Sequence, residues 1–175
     1  MDRLDRLRME MRMPDASDTH ATNRVDGLIG LCRRLRPTNV LEIGCARGVS
    51  TEVFCLLAEN VVAVDPWEPP FDCYYDEFVA RCGGYDNLVV IRGASPAALA
   101  RFAPGTFDLV YIDGDHSDEG IAADLVATVP LVRPGGVLAG HDFNMQPVAR
   151  AVIALCKARA VPWVLLEDWS WTVRL

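Results

Sequence analysis

The most chemically suggestive stretch of the sequence is FDLVYIDGDH, residues 107–116. Its apolar run from Phe107 to Ile112 is typical of a parallel strand that is buried on both faces. The run ends in Asp113, Asp115 and His116, and ligands of open parallel sheets bind beyond the carboxyl ends of the strands. Two carboxylates and an imidazole are therefore expected where chemistry would take place. Helix capping is the alternative, but it accounts for one acidic residue and not for three titratable groups.

A second pattern lies in the first strand-to-helix turn, where NVLEIG runs into CARG. The spacing is E-x-G-x-A-x-G, from Glu42 to Gly48, and Ser50 opens the following helix. Glycines let a ligand approach the backbone, and amides at a helix start are unsatisfied donors. Strand VVAVD ends in Asp65, 17 residues after Gly48, where a carboxylate can accept hydrogen bonds from a ribose diol. Together these features predict a nucleotide-type cofactor, although the turn alone would equally suit plain strand–helix packing.

The chemistry around this turn narrows the kind of nucleotide. A dinucleotide fold needs G-x-G-x-x-G so that pyrophosphate can approach a helix N-terminus, but position 46 is Ala. Glu42 is also a poor neighbour for pyrophosphate. A carboxylate suits a ligand that carries an ammonium and a sulfonium group, as S-adenosylmethionine does. The small residues Ala94 and Ser95, after the third strand, would admit an adenine ring.

Strands and helices alternate along the chain. Strands are predicted at 39–44, 61–64, 88–91, 107–112, 136–139, 164–166 and 172–173. Helices are predicted at 23–36, 49–59, 74–82, 97–102, 119–132 and 148–160. This alternation indicates right-handed crossovers and an α/β fold with a doubly wound, mostly parallel sheet. Only residues 167–171 separate the last two strands, so the final strand is expected to be antiparallel.

Composition limits the class of partner. With 175 residues and 51% hydrophobic content, the chain is expected to form one sizeable core. Its net charge of −7 comes with no stripe of Lys or Arg, which favours a small molecule or a protein over a nucleic acid. No apolar run has the roughly 18 to 20 residues of a membrane span, and the six cysteines form no C-x-x-C pair. These observations predict a cytoplasmic protein with reduced thiols and no membrane partner.

The first residues form a separate segment. Leu4, Leu7 and Met11 share one helical face, which predicts a short amphipathic helix. Residues 14–22 have the composition of a linker. We therefore expect a helical segment with its linker at 1–22 and the main domain at 23–175. Homo-oligomerisation through the N-terminal helices is a hypothesis at this level.

Four segments together resemble the class I S-adenosylmethionine-dependent methyltransferases: EIGCARGVST, VVAVDPW, FDLVYIDGDHSDEG and VRPGGVLAGHDF. More narrowly, they are similar to the small bacterial branch related to macrolide-sugar O-methyltransferases and cephalosporin hydroxylase-type proteins. The likeness extends from Val40 to Phe143 in order and spacing, and it implies a seven-stranded Rossmann-like sheet. The cofactor-binding residues that we expect on this basis are Glu42, Gly44, Cys45, Ser50, Asp65, Pro66, Trp67, Ala94, Ser95 and Asp113.

The resemblance also implies a divalent metal. In the similar catechol and caffeoyl-coenzyme A O-methyltransferases, an aspartate ends the fourth strand and an acidic or amide pair ends the fifth. Asp113 matches the first position, and His141 and Asp142 match the pair. Independently of the family, two parallel strands deliver carboxylates to one rim, and carboxylates with water suit Mg²⁺. His141 departs from the family pattern, because imidazole favours softer metals or lies outside the direct ligands.

His116 matches the position of the family's general base, three residues after Asp113. A neutral imidazole with a pKa of about 6.5 can accept a hydroxyl proton at physiological pH. Packing against the next helix is the alternative role for this residue. Trp169 and Trp171 in the terminal turn would be placed to line a substrate mouth, but core packing is the commoner role, so both are left out of the predicted site.

The sequence thus predicts a metal-assisted O-methyltransferase that acts on a hydroxyl of a small molecule, of sugar or natural-product type. Two other interpretations stay open. One is an NAD(P)-dependent oxidoreductase, which Ala46 and Glu42 disfavour. The other is a methyltransferase-like binding protein without catalysis. The acceptor itself is not encoded in the fold or the cofactor motifs.

Overall fold

A mostly parallel β-sheet organises the chain. The computed structural model describes residues 2–12 and 25–175. The strands are β1 (Asn39–Ile43), β2 (Asn60–Asp65), β3 (Leu88–Arg92), β4 (Phe107–Ile112), β5 (Val132–Gly140), β6 (Trp163–Leu165) and β7 (Trp171–Arg174). The helices are α1 (Arg3–Arg12), α2 (Asp26–Leu35), α3 (Val49–Leu57), α4 (Tyr74–Cys82), α5 (Asp118–Thr128) and α6 (Gln146–Arg159).

The strands lie in the order β3-β2-β1-β4-β5-β7-β6. The first five pair in parallel, whereas β7 pairs antiparallel with both β5 and β6. The predicted fold class is therefore confirmed, including the antiparallel final strand. The chain leaves β1 towards α3 on one face of the sheet and leaves β4 towards α5 on the other. The crevice between these two strand ends is the switch point where ligands of such sheets bind.

Two connections differ from the predicted helices. The segment predicted as a helix at 97–102 is a short 3₁₀ helix, Ala97–Arg101. Helix α5 ends at Thr128, four residues before its predicted end, because Pro130 lacks the amide hydrogen that a continuing helix needs. A 3₁₀ turn, Val129–Leu131, then leads into β5 at Val132. Neither difference moves the strand ends that face the crevice.

Both faces of the sheet are covered, which explains the continuous apolar run in β4. Val110 and Ile112 point into the core that lies against α5 and α6. Leu109 and Tyr111 point into the core that lies against α1, α2 and α3. All four side chains are buried, as expected for a central parallel strand with helices on both sides.

The N-terminal helix packs on this second core. Leu4 and Leu7 of α1 are buried there, in agreement with the predicted apolar face. The linker predicted at 14–22 lies outside the described residues, as does the side chain of Met11. The described part of the chain contains no helix long and apolar enough to span a bilayer.

A single buried carboxylate joins three helices. Glu52 of α3 is only 2% exposed, and it accepts hydrogen bonds from Arg3 of α1 at 2.6 and 2.9 Å. Arg81 of α4 donates to the same carboxylate at 2.9 Å, and the Tyr85 hydroxyl donates at 3.1 Å. Burial by itself would raise the pKa of Glu52. The hydrogen bonds from the two guanidinium groups outweigh this effect and lower the pKa below its usual range. An ionised Glu52 therefore helps to hold α1 in place, together with the buried Leu4 and Leu7.

The cysteines are free thiols, and all except Cys73 are buried. Burial raises the pKa of Cys32 and of Cys55 to about 12. The described thiols are thus core residues, as the sequence predicts, with the exception of Cys73.

We predict that Glu52→Gln destabilises the protein by about 1–3 kcal/mol at pH 7, since two guanidinium groups lose a buried anionic partner. Urea unfolding monitored by circular dichroism measures this loss. Asp118→Asn is the matched control, because Asp118 pairs only with Arg150 among the contacts described for it, and both side chains are more than half exposed. Equal stability of Glu52→Gln and the wild type would contradict a stabilising role of the ionised Glu52 carboxylate.

Candidate active site

The turn after β1 is built around three left-handed backbone positions. Gly44 has φ +82°, Ala46 has φ +42° and Gly48 has φ +81°. A Cβ atom on Gly44 would overlap the backbone carbonyl of Asp113, so only glycine fits there. The Asp113 amide donates to the Ile43 carbonyl at 2.7 Å. The ends of β1 and β4 are thereby held in direct backbone contact.

The buried carboxylate of Asp65 supports the same turn through hydrogen bonds to backbone amides. One carboxylate oxygen accepts from the amides of Cys45 at 2.8 Å and Ala46 at 3.0 Å, and the other accepts from the amide of Trp67 at 2.7 Å. The sequence predicted an acceptor for a ribose diol at this place. Three backbone amides already occupy most of the roughly four lone-pair sites of a carboxylate. The structure thus places Asp65 as a support of the turn, and its contact with a ribose stays a prediction.

Glu42 lies in the interior, beneath the start of α3. It is fully buried, and its two oxygens accept hydrogen bonds from the hydroxyls of Ser50 and Thr51. Burial raises the pKa of Glu42 to about 8, and the two hydroxyls only partly oppose this shift. The side chain therefore fixes α3 to the end of β1.

Trp67 also lies beneath the turn and not in the open. The residue is only 1% exposed, and its indole packs 4.8 Å from the ring centroid of Phe78 and 5.0 Å from that of Tyr75. Its Nε1–H donates to the Ala46 carbonyl at 2.9 Å. A platform that covers an adenosine would have to be accessible, so the structure assigns Trp67 to the core that supports the loop.

The expected adenine-binding turn has a buried partner that the sequence did not suggest. The Ser95 hydroxyl donates to Asp124 of α5 at 2.5 Å. Asp124 is buried, and burial raises the pKa of this carboxyl above its usual range. Asp124 lies in the second half of α5, and the residues around it do not distinguish it from an aspartate on the exposed face of a helix. Its burial could therefore not be predicted from the sequence.

A cavity of about 1000 Å³ opens over the ends of β1 and β4. Four residues of the predicted cofactor set line it, namely Gly44, Cys45, Ser50 and Asp113. The other six predicted residues lie beneath or beside it and are not among its lining residues: Glu42, Asp65, Pro66, Trp67, Ala94 and Ser95. Residues that the prediction omitted complete the wall, among them Glu10, Arg81, Tyr111, Asn144, Asp168 and Trp169.

All predicted metal ligands and the predicted base meet at one side of this cavity. One potential ligand atom from each of Asp113, His141 and Asp142 lies within 4.8 Å of the others. The Nε2 atom of His116 is 2.9 Å from Oδ2 of Asp142 and 3.5 Å from Oδ1 of Asp113. The Nδ1 atom of His141 is 3.2 Å from Oδ1 of Asp142. We call these four residues the carboxylate–histidine cluster.

The donor set of the cluster fits a divalent cation. The Nε2 atoms of His116 and His141 are buried, and neither makes a properly directed hydrogen bond to any described residue. Buried polar atoms normally make well-directed hydrogen bonds, so two buried nitrogens without one, next to two carboxylates, are an unusual feature. Carboxylate oxygens suit Mg²⁺ or Mn²⁺, and an imidazole nitrogen also accommodates softer ions.

Electrostatics within the cluster favour a positive charge. The carboxylates of Asp113 and Asp142 raise the pKa of His116 to about 10. Although burial opposes it, Asp142 also raises the pKa of His141 to about 9. Burial by itself would raise the pKa of Asp142. The two histidines outweigh this effect and hold the pKa of Asp142 well below its usual range. The aspartates therefore hold protons on the imidazoles unless another cation compensates their charge.

The comparisons with known proteins agree with this architecture. A family model described as a methyltransferase domain matches residues 41–143, more than half of the chain. A protein named as a putative O-methyltransferase from Mycobacterium sp. (strain JLS) is 30% identical over 136 residues, which are 74% of this chain and 60% of that protein. The chain spans between 17% and 60% of the length of the curated proteins that it matches.

Two solved structures share the fold across nearly the whole chain. An O-methyltransferase from Bacillus cereus in complex with SAH superposes with a TM-score of 0.67 at 19% identity, covering 98% of this chain and 90% of that one. A putative caffeoyl-CoA O-methyltransferase from Staphylococcus aureus superposes with a TM-score of 0.71 at 17% identity, covering 99% and 92% of the two chains.

The buried Glu42 generates a prediction about pH. Its native pKa of about 8 means that the folded chain keeps a proton which the unfolded chain has released, so the free energy of unfolding falls as pH rises from about 5 to about 8. In the wild type, Glu42 contributes up to ~1.4 kcal/mol per pH unit to this fall in the free energy of unfolding, and we expect Glu42→Gln to lack that contribution.

Urea unfolding of the wild type and Glu42→Gln at several pH values between 5 and 8 measures the two slopes. Glu59→Gln serves as the control, because Glu59 is exposed in the residue just before β2. Identical slopes for the wild type and Glu42→Gln would show that Glu42 is ionised in the folded protein throughout this range.

Proposed function

Because this chain belongs to the class I S-adenosylmethionine-dependent methyltransferases, we propose that it transfers the cofactor's methyl group to a hydroxyl oxygen of a small molecule, assisted by a divalent metal. One observation carries the proposal. A single cavity is lined both by the turn after β1 and by the carboxylate–histidine cluster. A cofactor on the turn and an acceptor at the cluster would therefore face each other within the same enclosure.

The turn after β1 is the proposed cofactor site. Its backbone approaches the cavity closely at Gly44, and Asp65 and Trp67 hold its shape from beneath. A rigid turn that is supported by buried groups binds its ligand without having to be ordered first. The most direct contacts are expected from Gly44, Cys45, Ser50 and Asp113, because these members of the predicted set line the cavity.

The carboxylate–histidine cluster is the proposed metal and acceptor site. Asp113, His141 and Asp142 would hold the ion. When bound, a divalent cation there supplies Lewis-acid polarisation of the acceptor oxygen. It would also compensate the negative charge that keeps His116 protonated, and a neutral imidazole is what a general base must be.

His116 is the proposed base. Its Nε2 atom lies beside both aspartates and has no directed hydrogen bond to another described residue. The proton of the acceptor hydroxyl would pass to this nitrogen while the oxygen forms its bond to the methyl carbon and the carbon–sulfur bond breaks. The products are a methyl ether, S-adenosylhomocysteine and a protonated His116. Positioning of the two reactants in one cavity would supply much of the rate.

Incubation of the purified protein with radiolabelled S-adenosylmethionine and a panel of phenols, sugars and carboxylic acids tests the reaction type. We expect a labelled ether with a hydroxyl-bearing member of the panel and none after treatment with a chelator. Methyl transfer that is unchanged by chelation would contradict the metal assignment. Cofactor binding without transfer to any acceptor would favour a binding protein instead.

We predict that Asp142→Asn weakens Mn²⁺ binding by at least about tenfold, because it removes an ionised ligand from the cluster. Equilibrium dialysis with Mn²⁺ measures the affinity independently of turnover, and calorimetry with S-adenosylhomocysteine reports on the cofactor site. Asp118→Asn, at an exposed position of α5, is expected to leave both unchanged. Wild-type Mn²⁺ affinity in Asp142→Asn would place the ion elsewhere.

We further predict that His116→Ala lowers kcat by about 10²- to 10⁴-fold, the usual contribution of a general base. The dissociation constant of S-adenosylhomocysteine should stay within about threefold of wild type, since the imidazole is assigned to the acceptor side of the cavity. Stopped assays across a pH range measure the loss. A variant with the wild-type rate and pH profile would eliminate His116 as the base.

A further inference from the structure

The four tryptophans have different surroundings. Trp67 and Trp171 are at most 1% exposed and belong to the core. Trp163 is 38% exposed on the edge strand β6. Trp169 is 41% exposed, and it is the tryptophan that lines the cavity with the carboxylate–histidine cluster. Its position in the terminal hairpin brings to this cavity an indole that the predicted site omitted.

The backbone of Trp169 is strained. Its φ is +63°, in the left-handed region that bulky side chains rarely adopt. A glycine or an asparagine would occupy this position at lower cost. Strain of this kind persists only where the surroundings enforce it, and it is concentrated at functional sites.

The neighbours of Trp169 enforce this conformation from both sides. Asp168 is buried, and its carboxylate accepts from the Leu28 amide of α2 at 2.9 Å and from the Ser170 amide at 3.1 Å. A Cβ atom on Gly27 would overlap this carboxylate, so α2 provides space for it. The Ser170 hydroxyl lies 2.9 Å from that of Tyr111 in β4. The hairpin tip is thus anchored to α2 and to the centre of the sheet.

A backbone hydrogen bond links Trp169 to the segment of the cluster. The Trp169 carbonyl accepts from the amide of Phe143 at 3.1 Å, and Phe143 directly follows Asp142. Trp169 is therefore tied by its backbone to the chain segment that carries the proposed metal ligands. Trp169 and the carboxylate–histidine cluster line the same cavity, so a molecule with a hydroxyl at the cluster shares this cavity with Trp169.

We propose that Trp169 is the surface against which a ring of the acceptor stacks. The inference rests on the proposed function for the identity of the reacting group. An indole face stacks on an aromatic ring or on the apolar face of a sugar ring, and a rigid ring loses less conformational freedom on binding than an open chain does. Trp169 would determine which acceptors bind and how they are oriented, while His116 would accept the proton.

The test measures binding and does not need turnover. Catechol represents phenolic rings, and methyl mannopyranoside represents sugar rings. Each is titrated by saturation-transfer NMR into protein loaded with Mg²⁺ and S-adenosylhomocysteine. We expect at least one of them to bind the wild type and to bind Trp169→Leu about tenfold more weakly or worse, because stacking and apolar burial are both lost.

Three further variants separate recognition from folding. Trp169→Phe should retain ring binding within about threefold, since an aromatic face remains. Trp169→Asn tolerates the left-handed backbone, so it should lose ring binding while its melting temperature equals or exceeds that of the wild type. Val126→Asn makes the same kind of apolar-to-amide change at an exposed position of α5 outside the cavity lining and should leave ring binding unchanged. S-adenosylhomocysteine affinity should stay constant throughout.

The outcomes distinguish this inference from the proposed function. Failure of both rings to bind the wild type, or equal affinity of the wild type, Trp169→Leu and Trp169→Asn, would overturn the role of Trp169. Ring binding that depends on Trp169 but leads to no methyl ether would support the stacking surface and contradict the methyltransferase activity. A tenfold preference for one of the two probes identifies the ring class.

Discussion

The close approach of the β1 and β4 ends is the constraint on which the rest of the structure depends. Gly44 lies against the backbone of Asp113, and the Asp113 amide is bonded to Ile43. This contact closes the floor of the crevice at the switch point of the sheet. It places the turn after β1 and the first residue of the carboxylate–histidine cluster side by side. A side chain at position 44 would separate the two halves of the cavity floor.

The carboxylates around the cavity have two distinct uses. Asp65 and Glu42 are buried and are satisfied by amides or hydroxyls, so they shape the turn and the start of α3. Asp113 and Asp142 are partly exposed and face the cavity, where their charge acts on His116 and His141 and is accessible to a ligand. The difference follows from hydrogen bonding, because a carboxylate whose acceptor sites are filled by the protein has little left for a ligand.

Elements remote in sequence complete the cavity. α1 contributes Glu10, and the ion pairs of Glu52 with Arg3 and Arg81 help to hold this helix in place. The terminal hairpin contributes Trp169, in a conformation that Asp168 imposes through α2. The cavity wall therefore combines residues from both ends of the described chain with the turn after β1 and the carboxylate–histidine cluster.

The sequence by itself determined the alternating strands and helices, the antiparallel last strand and the meeting of Asp113, His116, His141 and Asp142, because hydrophobic periodicity and strand ends are local properties. It could not separate the residues that line the cavity from those that support it. Trp67 follows the strand end that carries Asp65, yet its indole is buried beneath the turn. Trp169 and Trp171 are two residues apart, yet one is exposed in the cavity and the other is buried. Only the tertiary structure decided these cases, since burial depends on which distant segment packs against each side chain.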